Sequence, residues 1–502
     1  MEDFRVKEVV IVGGGTAGWI TAAVLSSFLS GSLRIRLIES EQIGTVGVGE
    51  ATIPQIQRLN ALLGINEAGF MRATRGSFKL GIEFNNWGHV DESYLHTFGR
   101  TGVNLGHTGF HHYWIRAKSG GHKSEFRDYS LHDRSAYAHR FRHLPRVGKT
   151  GLSGLDYAYH FDAGRYALFL RRHAESQGVR RVEGRVVDVA LDSGTGFISS
   201  VQMDGGESYE GDLFVDCTGF RGLLIGQALG VKYHDWSRWL PCNRAVAVSC
   251  EKEGPLLPYT KSTAHTAGWQ WRIPLQHRTG NGHVFCDDHM SVDEATRILL
   301  DNLDGKPHSD PGVLKFTTGR RDVFWHKNCV AVGLASGFLE PLESTSIHLI
   351  QSNVSRLMEL FPTRHMPRHS IDEYNKRTTR EFDCIRDFLV LHYHRTDRTD
   401  SEFWTRCRTM KVPDTLTHKM NLFTETGIVY KDHEDLFSES SWVQVMLGQG
   451  LRPKAWHSMA DRISDLQLSE FLNNVKTIIA KTVDKIPSHE DFVKNYCASD
   501  LQ

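Results

Sequence analysis

The sequence predicts a mixed α/β fold that combines a nucleotide-binding βαβ unit, an antiparallel sheet and a helical C-terminal part. Three patterns support this class: a strand–glycine turn–helix at residues 9–25, strand-like alternation over about 231–320, and helical periodicity from Ser370 onward. We therefore expect residues 1–362 to form a cofactor-binding module interleaved with the sheet at about 231–320. Residues 363–502 should form a helical substrate-binding part.

The N-terminal segment reads VVIVGGGTAGWITAAVL over residues 9–25. Its Gly13, Gly15 and Gly18 fit the G-x-G-x-x-G pattern. The first glycine permits a tight turn, the second lets a diphosphate approach, and the third lets the helix pack on the strand. A second strand over 33–38 ends in Glu39, about twenty residues further on, where an acid binds ribose hydroxyls. The pattern predicts a dinucleotide site; a glycine-rich turn in an unrelated α/β protein is the alternative.

Two later strands favour a flavin over a nicotinamide cofactor. One strand ends at Asp216, and another, over 328–334, leads through a small-residue turn to a helix at Ser346. Nucleotide sites of open α/β sheets lie at the carboxyl ends of such strands. Fragments spread from Gly13 to Leu334 indicate an extended cofactor, and flavin monooxygenases and their relatives are built in this way.

Composition excludes several classes of function. A chain of 502 residues with 40% apolar residues can form a sizeable core. Basic and acidic residues both total 59, which argues against a nucleic-acid-binding surface or a polybasic membrane patch. No apolar run approaches the roughly 20 residues that span a bilayer, and the N-terminus lacks a signal-peptide layout. Eight scattered cysteines and 27 histidines without metal-ligand spacing predict a cytoplasmic protein without a metal centre.

The remaining segments carry weaker signals. Residues 50–63 read as a helix with one apolar face, and residues 162–175 as an amphipathic helix. Residues 90–150 mix histidines, arginines and aromatics without periodicity, so we expect loops that cover a site, or aromatic packing between domains. Ser370 and Glu373 have the spacing of a capping box at a helix start.

Two stretches suggest chemistry beyond cofactor binding. Lys79 lies between Phe78 and Leu80 in a strand-like segment, where burial would lower the pKa of its amine and make it more reactive. A lysine that extends to solvent from a strand edge is the alternative. Trp269 and Trp271 face one side of a strand and would crowd substrate away from a flavin; two core tryptophans are the alternative.

A third stretch, FLEPLESTS, covers residues 338–346. Glu343 and Ser344 lie beside the N-terminus of the helix that follows, where backbone N–H groups can hold an anion. The alternative is that Glu343 serves only as an acid at the start of that helix.

Taken together, these residues resemble flavin-dependent halogenases of the tryptophan halogenase family. The resemblance covers nearly the whole chain and is strongest to indole halogenases that often prefer bromide. Lys79 matches the catalytic lysine of the family, and Glu343, within P-L-E-S-T at 341–345, matches its second essential residue. The glycine fingerprint matches the flavin site of the family. The diagnostic W-x-W-x-I-P motif is present as Trp269, Trp271, Ile273 and Pro274.

The resemblance implies an FAD-binding Rossmann-like fold of the flavin monooxygenase type. A separate NAD(P)H-dependent flavin reductase supplies FADH2, which with O2 and bromide or chloride yields hypohalous acid. A homodimer is compatible with the resemblance. The implied cofactor contacts are Gly13, Gly15, Thr16, Ala17, Gly18, Glu39, Gly49, Ala51, Val187, Asp216, Leu334 and Gly337.

The resemblance also implies residue roles. Backbone N–H groups around Thr345 and Ser346 hold the halide, and hypohalous acid travels through an internal tunnel to Lys79. Lys79 hydrogen-bonds this reagent or forms a haloamine, while Glu343 orients or polarises it and takes the ring proton. The aromatic substrate is expected to contact Phe110, His111, Trp456, Pro341 and Ser344.

The chain departs from the free-tryptophan enzymes of the family at two places. Residues 441–450 lack the tyrosine pair and the glutamate that bind the amino-acid headgroup, and Ser346 replaces a glycine common in relatives. We therefore expect indole or a substituted indole as substrate. A flavin-dependent aromatic hydroxylase, which needs no halide, and a non-catalytic flavoprotein are the alternatives.

Overall fold

Strands and helices alternate along the chain, as the sequence pattern predicts. The computed structural model describes residues 4–29, 31–42 and 49–499. The strands in these residues are β1 (Glu8–Val12), β2 (Arg34–Glu39), β3 (Gly49–Ala51), β4 (Ser77–Lys79), β5 (Gly81–Asn85), β6 (Ser93–Thr97), β7 (Ala158–Asp162), β8 (Arg180–Glu183), β9 (Val186–Leu191), β10 (Ile198–Met203), β11 (Ser208–Glu210), β12 (Leu213–Asp216), β13 (Tyr233–Asp235), β14 (Arg244–Glu251), β15 (Thr260–His265), β16 (Gly268–Pro274), β17 (Arg278–Phe285), β18 (Gly312–Lys315), β19 (Gly319–Arg321), β20 (Trp325–His326), β21 (Cys329–Ala331) and β22 (Gly337–Phe338). The helices are α1 (Thr16–Leu29), α2 (Ile56–Leu62), α3 (Glu67–Ala73), α4 (Phe110–Ser119), α5 (Leu131–Tyr137), α6 (Ala163–Ser176), α7 (Val292–Asp301), α8 (Ser346–Glu359), α9 (Arg368–His394), α10 (Glu402–Thr409), α11 (Asp414–Thr426), α12 (Glu439–Gly448), α13 (Asp465–Val483) and α14 (His489–Cys497).

The residues group into two compact units. Unit 1 comprises residues 1–74, 161–238 and 316–383, and unit 2 comprises residues 75–160, 239–315 and 384–502. The grouping therefore alternates along the chain. The single domain boundary expected at 362/363 stays a prediction.

The main sheet of unit 1 has the strand order β20-β21-β12-β1-β2-β8. Strands β8, β2, β1, β12 and β21 run parallel, and β20 at the edge runs antiparallel. β1 and β12 are buried along their whole length, which explains their continuously apolar sequence, because both faces of a parallel sheet are covered. One apolar core cluster of unit 1 includes Val10, Val201, Phe214 and Leu224.

The turn between β1 and α1 depends on its glycines. Gly13 has φ +110°, and a Cβ atom there would lie 2.2 Å from the carbonyl oxygen of Cys217. A Cβ atom at Gly18 would lie 1.9 Å from the carbonyl oxygen of Gly13, whereas one at Gly15 would meet nothing within 4 Å. Gly13 and Gly18 are therefore required by the fold itself, and Gly15 leaves open space beside the turn.

Unit 2 contains a seven-stranded sheet with the order β18-β14-β17-β16-β15-β5-β6. Its neighbouring strands are antiparallel except for the parallel pair β15 and β5. Strands β14 to β18 come from residues 244–315, so the antiparallel sheet predicted at about 231–320 is confirmed. Helix α7 interrupts this region, and β5 and β6 extend the sheet. Separately, β4 pairs antiparallel with residues 158–160 of β7.

Most predicted helices are confirmed, and capping side chains define several of their starts. The Asp162 carboxylate accepts the N–H of Arg165 at the start of α6, and Ser438 caps α12 in the same way. Ser464 and Gln467 form a capping box at α13. In the described part of the chain after Arg368, regular structure is entirely helical, as expected. The mixed α/β class is confirmed.

Three local predictions are wrong. Glu50 lies in β3, and helix α2 begins only at Ile56, because Pro54 disfavours a helical conformation in the residue before it. Residues 90–150 contain α4 and α5 as well as loops; α4 buries seven of its ten residues, including the first six in a row, and therefore shows no clear amphipathic period. Ser370 lies inside α9, so it does not cap that helix.

The glycine turn gives a direct test of the fold. Gly13→Ala should lower the free energy of unfolding of the flavin-free protein by more than about 2 kcal/mol, because it combines a left-handed φ with a backbone clash. Gly15→Ala is the matched control. It should change the free energy of unfolding by less than about 0.5 kcal/mol, because the Cβ atom of an alanine at this position would point into open space. Urea titrations of both variants measure the difference, and equal losses would contradict this account of the turn.

Candidate functional site

The glycine turn of unit 1 fits a phosphate group. The N–H of Gly13 donates to the carbonyl of Ile38 at 2.8 Å, which ties the turn to β2. Helix α1 begins at Thr16, and its first N–H groups have no intrahelical acceptor. The half-buried residues 13–17 and the open space beside Gly15 leave room for an anionic ligand at this helix N-terminus.

The carboxyl ends of three neighbouring strands meet around this turn. Gly13, after β1, lies against Cys217, which follows β12. Gly333 lies against Ala17, since a Cβ atom at Gly333 would be 2.7 Å from the methyl group of Ala17. Gly333 begins the short 3₁₀-helix Gly333–Ala335, which includes the predicted contact Leu334. The sequence fragments predicted to share one cofactor therefore come together within unit 1.

Glu39 lies at the same edge of the sheet and already has partners. Its carboxylate accepts the Nε–H of Arg181 at 2.5 Å and the indole N–H of Trp19 at 3.3 Å. Gly14 must be glycine here, because a Cβ atom would lie 1.5 Å from a carboxylate oxygen of Glu39. A ribose hydroxyl would therefore share this carboxylate with Arg181, and the predicted ribose contact stays a prediction.

The other predicted cofactor residues lie in different environments of unit 1. The buried carboxylate of Asp216 accepts N–H groups of Thr218, Leu224 and Ile225, so it fixes the backbone after β12. Val187 on β9 is exposed. Gly337 on β22, and Gly49 and Ala51 on β3, are buried. Their contacts with a cofactor stay predictions.

Glu50, between Gly49 and Ala51, is a titratable residue that the sequence reasoning missed. Burial raises the pKa of its carboxyl group to about 7. Nothing in the sequence separates this acid from an ordinary helical glutamate, because the segment reads as a helix.

The stretch 341–346 of unit 1 contains the residues predicted to hold the halide. Pro341–Glu343 is a 3₁₀ turn, Ser344 has a left-handed backbone with φ +58°, and α8 begins at Ser346. Glu343, Ser344 and Thr345 are buried. Among the described residues, the hydroxyl oxygen of Thr345 has no hydrogen-bond partner, and no side chain caps α8. The Thr345 hydroxyl and the first N–H groups of α8 are therefore candidate donors to an anion.

In unit 2, Lys79 is buried at the end of β4. Its backbone pairs with Ala158 of β7, and its ammonium nitrogen lies 5.2 Å from the ring centroid of Phe98. This burial excludes the alternative of a lysine that extends to solvent from a strand edge. An aromatic face offers the ammonium group a cation–π interaction in this buried position.

The tryptophan pair lies on β16 in the interior of unit 2. Trp269 and Trp271 are buried, and their ring centroids are 6.1 Å apart. Gly282 of β17 makes room for Trp271, because a Cβ atom there would lie 2.1 Å from the indole ring. Within the described chain, the indole N–H of Trp271 has no hydrogen-bond acceptor. Both readings of the pair, core packing and exclusion of substrate from a flavin, are compatible with this position.

The predicted substrate residues Phe110 and Trp456 of unit 2 differ in burial. Phe110 is buried in an aromatic cluster, with its ring centroid 5.0 Å from that of Tyr129 and 5.9 Å from that of Phe471. Trp456 is half-buried, and its indole N–H donates to Asp461 at 2.8 Å. The ring of Phe110 therefore already has aromatic neighbours, whereas Trp456 keeps an accessible ring.

His111 belongs to a small histidine cluster. Its ring centroid is 4.1 Å from that of His112, and the ring of His112 is 5.8 Å from that of His457. Burial lowers the pKa of His111 to about 4 and that of His112 to about 3. These two rings are therefore neutral near pH 7. The expected contact of an aromatic substrate with His111 and Trp456 stays a prediction.

Helix α12 contains most of the residues at which the chain is expected to differ from free-tryptophan enzymes. Trp442 to Met446 are buried. The carboxamide of Gln444 accepts the N–H of Thr97 at 2.9 Å and donates to the carbonyl of Gly99 at 3.1 Å. This helix uses its polar side chain to hold β6 and the loop that follows.

Each unit thus gathers one part of the predicted site. Unit 1 contains the predicted cofactor and halide residues together with Pro341, Glu343 and Ser344, and unit 2 contains Lys79, the tryptophan motif and the other substrate residues. Among the described residues, no cluster of three or more histidine, cysteine or acidic side chains could hold a metal ion. In the same residues, no helix has the length and apolar character needed to cross a membrane.

Comparisons with known proteins agree on one family. The sequence profile of the tryptophan halogenases matches residues 8–465. The chain is 35% identical to tryptophan 6-halogenase ThaL of Streptomyces albogriseolus, over 98% of this chain and 99% of that protein. It is 48% identical to a flavin-dependent halogenase of Xanthomonas campestris, with a TM-score of 0.96 over 99% of this chain and 100% of that chain. A flavin-dependent halogenase of Brevundimonas sp. BAL3 is 43% identical, with a TM-score of 0.95 over 98% and 100% of the two chains.

Proposed function

The chain belongs to the tryptophan halogenase family and is a flavin-dependent halogenase, and from that premise we propose that it transfers electrophilic halogen through Lys79 to an indole-type ring. The observation that carries the proposal is the burial of Lys79 on β4, beside the ring of Phe98. A charged or nucleophilic group held on a strand and shielded from water keeps a defined orientation. Its electrostatic effect on a reacting atom is also stronger there than in water.

Unit 1 supplies the residues that would hold FAD. The turn with Gly13 and Gly15 and the N-terminus of α1 would bind the diphosphate, and Glu39 would bind ribose hydroxyls. When bound in its reduced form, supplied by a separate flavin reductase, FAD provides with O2 the oxidising power that converts bromide or chloride into hypohalous acid. The open space beside Gly15 supports this assignment.

Thr345 and Ser346 would hold the halide. The unpartnered hydroxyl of the buried Thr345 and the uncapped N–H groups of α8 are donors that suit a small anion. Ser346 is half-buried at the first position of α8, so its side chain would border this pocket.

Lys79 would activate the hypohalous acid in one of two ways. Its ammonium group donates a hydrogen bond to the oxygen of the reagent and polarises the oxygen–halogen bond. Alternatively, its neutral amine attacks the halogen, forming a nitrogen–halogen bond and releasing water. In both cases the ring carbon bonds to the halogen as the oxygen–halogen or nitrogen–halogen bond breaks, and the electron pair stays on the oxygen, which leaves as water after protonation, or on the Lys79 amine, which is regenerated. The ring proton leaves to a base, for which we assign Glu343.

The tryptophan pair would exclude substrate from the flavin. The bulk of Trp269 and Trp271 on β16 supports this role, because direct hydroxylation needs substrate at the flavin. Helix α12 supports the proposal that the substrate is an indole without an amino-acid headgroup, since the Gln444 carboxamide is already hydrogen-bonded to the backbone of Thr97 and Gly99. His111 and Trp456 would contact the ring, which suits the aromatic character of indole.

Halide dependence tests the proposed reaction. Purified protein with FAD, a flavin reductase, NADH and indole should yield halogenated indole with bromide or chloride, and no oxygenated indole when halide is omitted. Free tryptophan, run in parallel, should react more slowly than indole, because residues 441–450 contain neither a tyrosine nor a glutamate for the amino-acid headgroup. Mass spectrometry identifies the products. Oxygenated indole formed without halide would instead identify an aromatic hydroxylase.

The halide pocket gives a second prediction. Thr345→Val keeps the shape of the side chain and removes the hydroxyl donor, so the KM for halide should rise about 10-fold or more. The KM for indole should stay within about 2-fold. Thr405→Val, on an exposed face of α10, is the control. Titration of bromide and chloride at saturating indole measures the change, and an unaltered halide KM would remove Thr345 from the halide site.

A further inference from the structure

Two buried histidines of unit 2 hold the strand that carries Lys79. His160 of β7 contacts the side chain of Ser77, and His489 of α14 contacts the backbone of Phe78. Ser77 and Phe78 are the two residues of β4 that precede Lys79. Neither histidine was indicated by the sequence.

The hydrogen bonds of His160 define its tautomer. The hydroxyl of Ser77 donates its single proton to the carbonyl of Pro274 at 2.6 Å, so it accepts from the Nδ1–H of His160 at 3.0 Å. In the neutral ring the Nε2 atom is then unprotonated and accepts the hydroxyl proton of Thr260 at 2.9 Å. The chain of bonds connects β4 to the last residue of the tryptophan motif and to β15.

The hydrogen bonds of His489 define its tautomer in the same way. Its Nε2 atom accepts the N–H of Phe78 at 3.0 Å, so its Nδ1 atom carries the proton and donates to the carbonyl of Leu256 at 2.8 Å. The ring of Phe78 also stacks on Phe141, with 4.3 Å between centroids, and packs edge-on against Phe492 of α14 at 5.4 Å. Helix α14 therefore fixes both the backbone and the side chain of Phe78.

Both imidazoles are neutral, so they place no additional positive charge near Lys79. Burial lowers the pKa of His489 to about 4 and holds the pKa of His160 well below its ordinary value, where the charge of Lys79 lowers it further. A second positive charge next to Lys79 is thereby avoided, while each ring nitrogen still has a hydrogen-bond partner.

We propose that His160 and His489 are positioning residues for Lys79, with α14 acting from beyond residue 465, where the match to the family profile ends. The inference rests on the proposed role of Lys79 as the residue that transfers halogen. A β4 backbone fixed at Ser77 and at Phe78 leaves the Lys79 side chain little freedom to shift. A shift of about 1 Å at a reacting group is enough to reduce rate about 100-fold.

The test compares His489→Leu with His489→Gln. Leucine removes both hydrogen bonds, whereas glutamine retains an acceptor and a donor. His283→Leu is the matched control, because His283 is also a buried histidine of unit 2, bonded to the carbonyl of Ala295 on α7 rather than to β4. Ser77→Ala removes the other anchor of β4 and serves as an independent variant should His489→Leu fail to fold.

The first readout is amide hydrogen exchange of the flavin-free protein, which needs no activity. His489→Leu should raise the exchange rate of the Phe78 amide at least tenfold, and His489→Gln should restore most of the protection. His283→Leu should leave this amide unchanged. Wild-type exchange of Phe78 in His489→Leu would overturn the proposal.

The second readout is the fate of hypohalous acid in turnover. His489→Leu and Ser77→Ala should still produce it, but the ratio of halogenated indole to total hypohalous acid, measured with an added trap, should fall at least tenfold. A fall of the same size in His283→Leu would show general destabilisation and overturn the inference. If the wild-type protein itself gives no halogenated indole, the proposed function fails; if only the ratio stays constant in the variants, the inference alone fails.

Discussion

The burial of one lysine on a short strand is the constraint on which unit 2 depends. Removing an ammonium group from water costs several kcal/mol, so its surroundings must compensate for the lost hydration. The ring of Phe98 lies 5.2 Å from the nitrogen, and the neighbouring histidines are held in neutral tautomers by their own hydrogen bonds. A lysine maintained at this energetic cost is a candidate for chemistry rather than for stability.

Unit 1 brings turns from distant parts of the sequence, with their N–H donors, to one edge of a sheet. Parallel strands β1, β2, β12 and β21 end on the same edge, and glycines at 13, 14 and 333 let the connecting turns touch. The start of α8 adds a buried hydroxyl, on Thr345, that has no partner among the described side chains. Unsatisfied donors of this kind are costly unless a ligand accepts from them.

The sequence predicts those features of the structure that depend on local rules of backbone conformation. The turn at Gly13 has few conformational solutions, so it was predictable, whereas the capping spacing at Ser370 lies inside α9 and marks no helix start. Helix α4 was not predictable, because the burial of seven of its ten residues removes a clear period. The contacts of His160 and His489 join residues 83 and 411 positions apart, and no local pattern reports such pairs. The roles of Lys79 and Glu343 came from family resemblance, since spacing alone left other readings open.

A single turnover of Lys79→Met with indole, bromide and reduced FAD would separate halide oxidation from halogen transfer. Methionine has a similar length and no amine, so halide oxidation in unit 1 should continue while halogen transfer stops. We expect a wild-type yield of hypobromous acid, recovered with a chemical trap, and at least 100-fold less bromoindole than the wild-type protein forms. Bromoindole at the wild-type level would contradict the assignment of Lys79 as the residue that transfers halogen.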